Sequence, residues 1–340
     1  MTRAETTSRV GYSTVVAAVT AAIAGVLIGV ALTATAPVPG VAEPGEVVSV
    51  AIPLVRVLLD LSAVATIGLA LLPVLVGFDR PKLTEPVLAR TRPAAVACAV
   101  LWSVTALVSL VLQTAEFRPQ ADRIGLADVW AYVVQVGAGK ALVIVAVLAL
   151  VLAVLGIMAL RHGEKVPAEV RAGLGLLTLL PLPVTGHAAD SSYHDYTMVS
   201  IELHVMSAVA WTGGLGAMAV LLAANRTLLA HAMPRFSKLA TLCLVLAGVT
   251  GLFNACVEIL LDPTIGFRAG LFTTRYGWLV LLKVACLGAI AVLGANLRWR
   301  LMPRIVRHER TALASWATLE LVTMGLAFGL AVVLTRSPVT

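Results

Sequence analysis

Residues 141–160 read ALVIVAVLALVLAVLGIMAL, twenty consecutive residues without one charged or polar side chain. At about 1.5 Å of rise per residue, a helix of that length covers roughly 30 Å, the thickness of a bilayer's hydrocarbon core. Working outward, apolar runs of comparable length recur at 13–36, 51–78, 93–115, 130–160, 172–188, 198–224, 239–261, 277–298 and 312–335. The whole chain is 59% hydrophobic and 13% charged, with a mean hydropathy of +0.96. That is too little charge to clothe a water-facing surface. The expected fold is therefore all-α, a polytopic transmembrane helical bundle forming a single membrane domain over residues 1–340. Nine spans are expected, or eight if the first is removed at its Ala34-Thr-Ala36 ending, which has the form of a signal-peptide cleavage site.

Net charge is +7, yet the basic residues are spread over short loops rather than gathered in a patch, so nucleic acid is not the expected partner. They report orientation instead. With the N-terminus inside, 17 of the 25 lysines and arginines fall in cytoplasmic segments and five in outer ones, with Arg56, Lys140 and Lys283 inside spans. The positive-inside rule then puts the N-terminus inside and the C-terminus outside. The four cysteines (Cys98, Cys243, Cys256 and Cys286) sit within apolar runs, where packing is the expected role.

The chemically dense stretch is Pro181-Leu-Pro-Val-Thr-Gly-His187-Ala-Ala-Asp190-Ser-Ser-Tyr-His194-Asp195, followed by Met198, Glu202, His204 and Met206. This orientation puts it on the outer side. Ionisable groups in hydrocarbon cost about 2.5–3.5 kcal/mol on insertion scales, so each needs a partner or a function. Arg56 and Asp60, four residues apart, are expected to satisfy each other. Lys140 and Lys283 are expected to neutralise Glu202 or Glu258. His187 at the end of the fifth run and His204 in the sixth should lie at similar depth, with His194, Asp190 and Asp195 in the loop between them. Such a set suits a metal ion or a proton.

Helical geometry divides the set. At 100° per residue, Met198, Glu202, Met206, Val209 and Gly213 share one face of the sixth span, and Ser200, His204, Ser207 and Trp211 share another. A regular helix cannot aim His204 and Met206 at one small ion, and His204 is the residue whose face can meet His187. Imidazole suits copper, zinc and iron, and thioethers favour Cu(I).

From the fifth run onward the chain resembles the CopD family of bacterial copper-resistance membrane proteins. The resemblance, over residues 181–338, is carried by Thr185-Gly-His-Ala188, Leu203-His204, Ala210-Trp-Thr-Gly-Gly-Leu215, Arg235-Phe-Ser237 and Gly248-Val-Thr-Gly251. It continues through Thr274-Arg-Tyr-Gly277, Leu282-Lys283, Asn296, Leu319-Glu320 and Leu334-Thr-Arg-Ser-Pro338. It implies a multi-pass protein of the bacterial cytoplasmic membrane that handles copper, with His187 and His204 at the metal site. Similar actinobacterial domains are often joined to a CtaG-type cytochrome oxidase assembly domain.

The expected function is copper binding and transport across the membrane, or delivery at it, with copper captured on the outer face by His187, His204 and His194. Glu202, Met206, Met198, Glu258, Lys283, Asp190 and Asp195 are candidates for the path or its charge network. Expected partners are the copper ion, the bilayer, and a periplasmic copper chaperone or oxidase assembly protein. No Walker A motif or nucleophile–base–carboxylate arrangement is present, so an enzyme is not expected. Two other readings stay open: a haem-binding redox protein using His187 and His204, and a copper-delivery factor for oxidase assembly that transports nothing.

Overall fold

The computed structural model describes residues 3–33, 44–186, 194–260, 267–307, 309 and 313–336. Every long element is helical: α1 (Arg3–Thr33), α2 (Glu46–Val76), α3 (Pro81–Phe117), α4 (Leu126–Gln135), α5 (Gly137–His162), α6 (Ala168–Leu177), α7 (His194–Leu221), α8 (Arg226–Leu260), α9 (Phe267–Phe272), α10 (Arg275–Asn296), α11 (Met302–Val306) and α12 (Leu313–Leu334). Eight of these, α1, α2, α3, α5, α7, α8, α10 and α12, are long and apolar enough to cross a membrane.

The expected fifth span is the departure. Residues 172–188 do not form one long helix; α6 has ten residues and stops at Leu177, and a 3₁₀ turn, Leu182–Thr185, follows. Proline explains the break. Pro181 has no N–H to donate to the carbonyl of Leu177, and Leu180 reaches that oxygen instead at 3.2 Å. In the sequence, Pro181 and Pro183 mark this disturbance just before His187, whereas the hydropathy of the run does not. The fourth run also divides. Asp128 accepts from the Gly125 N–H at 2.9 Å and caps α4, and extended backbone at Val136 separates α4 from α5. Trp130, 70% exposed, lies on this short helix.

Contacts between helices fix their directions. Ser103 Oγ of α3 donates to Ala146 O of α5, and Gly156 of α5 lies against Val96 of α3, so those two are antiparallel. Ser200 and His204 of α7 meet Thr250 and Ala247 of α8, and Gly214 meets Phe236, another antiparallel pair. By contrast α1 and α12 run the same way: Thr14 bonds Thr318 at 2.7 Å, Gly25 approaches Leu326 and Gly329, and Gly29 approaches Val333. Along this interface a Cβ at Gly325 would overlap Ala18 O, and one at Gly329 would overlap Ala22 O. Small residues here let two backbones touch, which is how helices associate when lipid and side chain are equally apolar.

The bundle has two distinguishable ends. At one, Gly77, with φ +72, closes the α2–α3 turn against Arg235, whose Nη1 donates to Leu75 O at 3.3 Å. At the other, Arg56 donates to Thr185 at 2.6 Å, Arg336 pairs with Glu116, and Gly186 lies beside Thr335. Both α5 and α7 run from the Arg336 end toward the Arg235 end. The broken stretch 168–185 carries the chain back between them, past Ile67 at Gly175 and onto Arg56 at Thr185.

Candidate functional site

Of the three histidines singled out from the sequence, the structure describes the side chain of one. His187 and Asp190 lie outside the described residues, and the same holds for the side chains of His194 and Glu258. What is described on the approach to His187 is Thr185, held by Arg56, whose Nε lies 3.3 Å from Asp60 Oδ1. The Arg56–Asp60 pair thus forms as its spacing demands.

His204 stands on α7 with its ring against α8. Its Nδ1 lies 3.0 Å from the carbonyl oxygen of Ala247 and 3.2 Å from Thr250 Oγ1, while the Thr250 hydroxyl donates onward to Leu246 O at 2.5 Å. A carbonyl only accepts, so the proton must sit on Nδ1, and the neutral ring keeps its lone pair on Nε2. Among the described residues Nε2 makes no hydrogen bond. Fixing one ring nitrogen by a backbone carbonyl while the other stays open is how metal-binding imidazoles are oriented. Gly251 makes this possible: a Cβ there would stand 3.0 Å from the ring's Cε1.

The helix faces separate as the 100° rule requires. Ser200 donates to Thr250 O at 3.3 Å, beside His204 on the α8 side. Gly213, on the other face, packs backbone to backbone on Val64 and Gly68 of α2. Met206 packs on the main core, and Met198 and Glu202 are half-buried. The expected Lys283–Glu202 ion pair is absent among the described residues; Lys283 of α10 is within electrostatic reach of His204 and Cys286 instead. Lys140 is exposed at the start of α5 and needs no buried partner. Asp195 is exposed in the first turn of α7.

Three features escaped the sequence reading. The Ala247 carbonyl and Thr250 orient His204; the only signal was the Gly248-Val-Thr-Gly251 piece, since a backbone acceptor has no residue signature. Asn254, one turn beyond Thr250 on α8, has a buried Oδ1 without a hydrogen-bond partner among the described residues. Toward the Arg235 end, the Trp211 indole lies within reach of the carboxyl of Glu320 of α12, which is 2% exposed. Among the described residues no three His, Cys, Asp or Glu side chains converge in a metal-binding group.

Residues 47–194 match the family model described as copper resistance protein D-like, N-terminal domain, and residues 230–334 match the one described as copper resistance protein D. His187 lies in the first matched segment, and His204 lies in the stretch between the two. No curated protein and no solved structure matches the chain.

Proposed function

The chain belongs to the copper resistance protein D family, with that family's N-terminal domain preceding the family domain proper, and from that premise we propose that it captures copper at the Arg336 end of the bundle and carries it across the membrane. The observation that supports this most is the His204 ring: held through Nδ1 by Ala247, it offers Nε2 to a metal. His187 and His194 are the partners proposed for it, with Asp190 and Asp195 in the connecting loop. Glu202, Met198, Met206, Glu258 and Lys283 are proposed for the route or its charge balance. The membrane is the bacterial cytoplasmic one, and a periplasmic copper chaperone or an oxidase assembly protein is the proposed protein partner.

Orientation follows from the basic residues. The Arg235 end collects most of the lysines and arginines, which assigns it to the cytoplasm. Counting the broken stretch 168–185 as a crossing gives nine. An odd number agrees with the parallel packing of α1 and α12 and sets the termini on opposite sides, so that with the Arg235 end in the cytoplasm the N-terminus is inside and the C-terminus outside. A chain interrupted inside a bundle is tolerated where it is buried in protein or lines a cavity, and transporters use such breaks at their binding sites.

Metal analysis of purified protein tests the proposal. Wild type is expected to retain copper through desalting, and His187→Ala to lose most of it. Copper-free wild type, or copper retention unchanged by the substitution, would sink the proposal; a Soret band in the visible spectrum would favour a haem protein. A milder variant reads the orienting contact. Thr250→Val removes one acceptor and leaves the Ala247 carbonyl, so copper affinity should fall by about tenfold, the lower range for losing an outer partner of a metal-binding histidine. Competitive titration against a Cu(I) chelator measures it.

A further inference from the structure

Glu320 is the most deeply buried carboxyl the structure describes, and copper capture at His204 does not use it. It lies seven residues into α12, roughly 10 Å from that helix's start at the Arg235 end. The Trp211 indole is within reach of it, and Gly294 of α10 is beside it, with a Cβ there 3.8 Å from Oε1. No cation faces it. From Gly11 onward α1 is uncharged, as is α2 beyond Asp60 and α7 beyond His204. On α10 the nearest charge is Lys283, eleven residues or roughly 16 Å from Gly294. In the π turn that follows α10, Arg298 donates to Thr241 of α8 and Arg300 is exposed. Among the described side chains, α1 beyond Gly11, α2 beyond Asp60 and α7 beyond His204 bring no other charged group to Glu320.

A carboxyl so enclosed is carried as the neutral acid, because an uncompensated charge there has neither water nor a partner. The same holds for a copper ion. Ser207 and Trp211 continue the His204 face of α7 toward the Arg235 end, and Trp211 meets Glu320 one turn beyond Ser207. Among the described residues, Glu320 is the group on that inward course able to balance a cation's charge.

The geometry points to Glu320 as the counter-charge for copper in the inner half of the route: the carboxyl releases its proton as Cu(I) arrives and takes one back once the ion has left. The exchange balances. The neutral acid and one monovalent cation become a carboxylate–cation pair and one proton, which leaves to the water at the Arg235 end, the nearer side. After copper departs, a proton returns from that same side, so none is consumed per cycle. This inference rests on the transport reading above.

Proteoliposomes test it with Cu(I) as the probe. Glu320→Gln keeps the volume and an oxygen for Trp211 but cannot become charged. It should bind copper like wild type in chelator competition, while copper flux falls about 100-fold and loses its dependence on pH at the Arg235 face; each decade is one tenfold step in rate. Glu320→Asp should retain flux with a displaced pH profile, and wild-type flux should rise with pH on that face. Flux in Glu320→Gln equal to wild type, or wild-type flux indifferent to pH, overturns the exchange and leaves copper transport standing. Wild type that binds copper without any flux overturns transport and the exchange with it.

Discussion

Replacing His204 with alanine is expected to weaken copper binding by at least about 100-fold, equivalent to roughly 2.8 kcal/mol, without unfolding the protein. Outer partners of metal-binding histidines already contribute 10–100-fold, and removal of the ring itself takes away both the donor atom and its orientation. The fold should survive because the ring's contacts are few: two acceptors on α8 and the space over Gly251. Ser200 continues to join α7 to α8 through Thr250 O, and Gly214 continues to pack on Phe236. His204→Asn is the sharper control, since an amide can donate to Ala247 O yet offers no imidazole nitrogen. Equal copper affinity in wild type, His204→Ala and His204→Asn, measured by chelator competition, would remove His204 from the site.

Gly68→Leu should act in the opposite way, costing the fold rather than the metal. A Cβ at Gly68 would overlap the backbone of Gly213, and one at Gly213 would overlap the carbonyl of Val64. This is backbone against backbone, so no side-chain rotamer relieves it and α2 must part from α7. Overpacking costs typically 1–3 kcal/mol and more where nothing can yield. The contact also ties α2, in the first family segment, to α7, which carries His204. A fall in melting temperature of roughly 10 °C in detergent, or loss of the monodisperse peak, is the expected result. Gly248→Leu and Gly288→Leu are internal controls: nothing lies within 4 Å of a Cβ at either, so both should melt near wild type. Equal melting of all three variants would show that the α2–α7 approach does not hold the bundle together.

What could be read in the sequence, and what could not, divides along a physical line. Properties carried by side-chain type and period were legible. Run length gave the long helices, the i, i+4 spacing gave the Arg56–Asp60 pair, and the 100° period gave the two faces of α7, with Ser200 and His204 toward α8 and Gly213 toward α2. Properties carried by the backbone were not. Pro181 and Pro183 signal a disturbed helix just before His187, yet that α6 stops as early as Leu177 is not visible in the residue types. The same is true of the acceptor for His204, which is the main chain of Ala247, a residue indistinguishable from the other alanines of α8. Long-range partners were hidden for another reason. Trp211 and Glu320 are more than a hundred positions apart, and only the packing of α7 on α12 brings indole and carboxyl together.

Lys283 falls between these cases. Charge complementarity points to Glu202 or Glu258 as its partner; among the described residues no ion pair to Glu202 forms, the Glu258 side chain lies outside them, and Lys283 is within electrostatic reach of His204.

Copper uptake by oriented proteoliposomes, with the Arg336 end facing the medium, tests the central claim most directly. The account predicts protein-dependent accumulation of copper inside the vesicles for wild type, and none above empty vesicles for His204→Ala. Copper that binds wild-type protein on the outside yet never appears within the vesicles would contradict it.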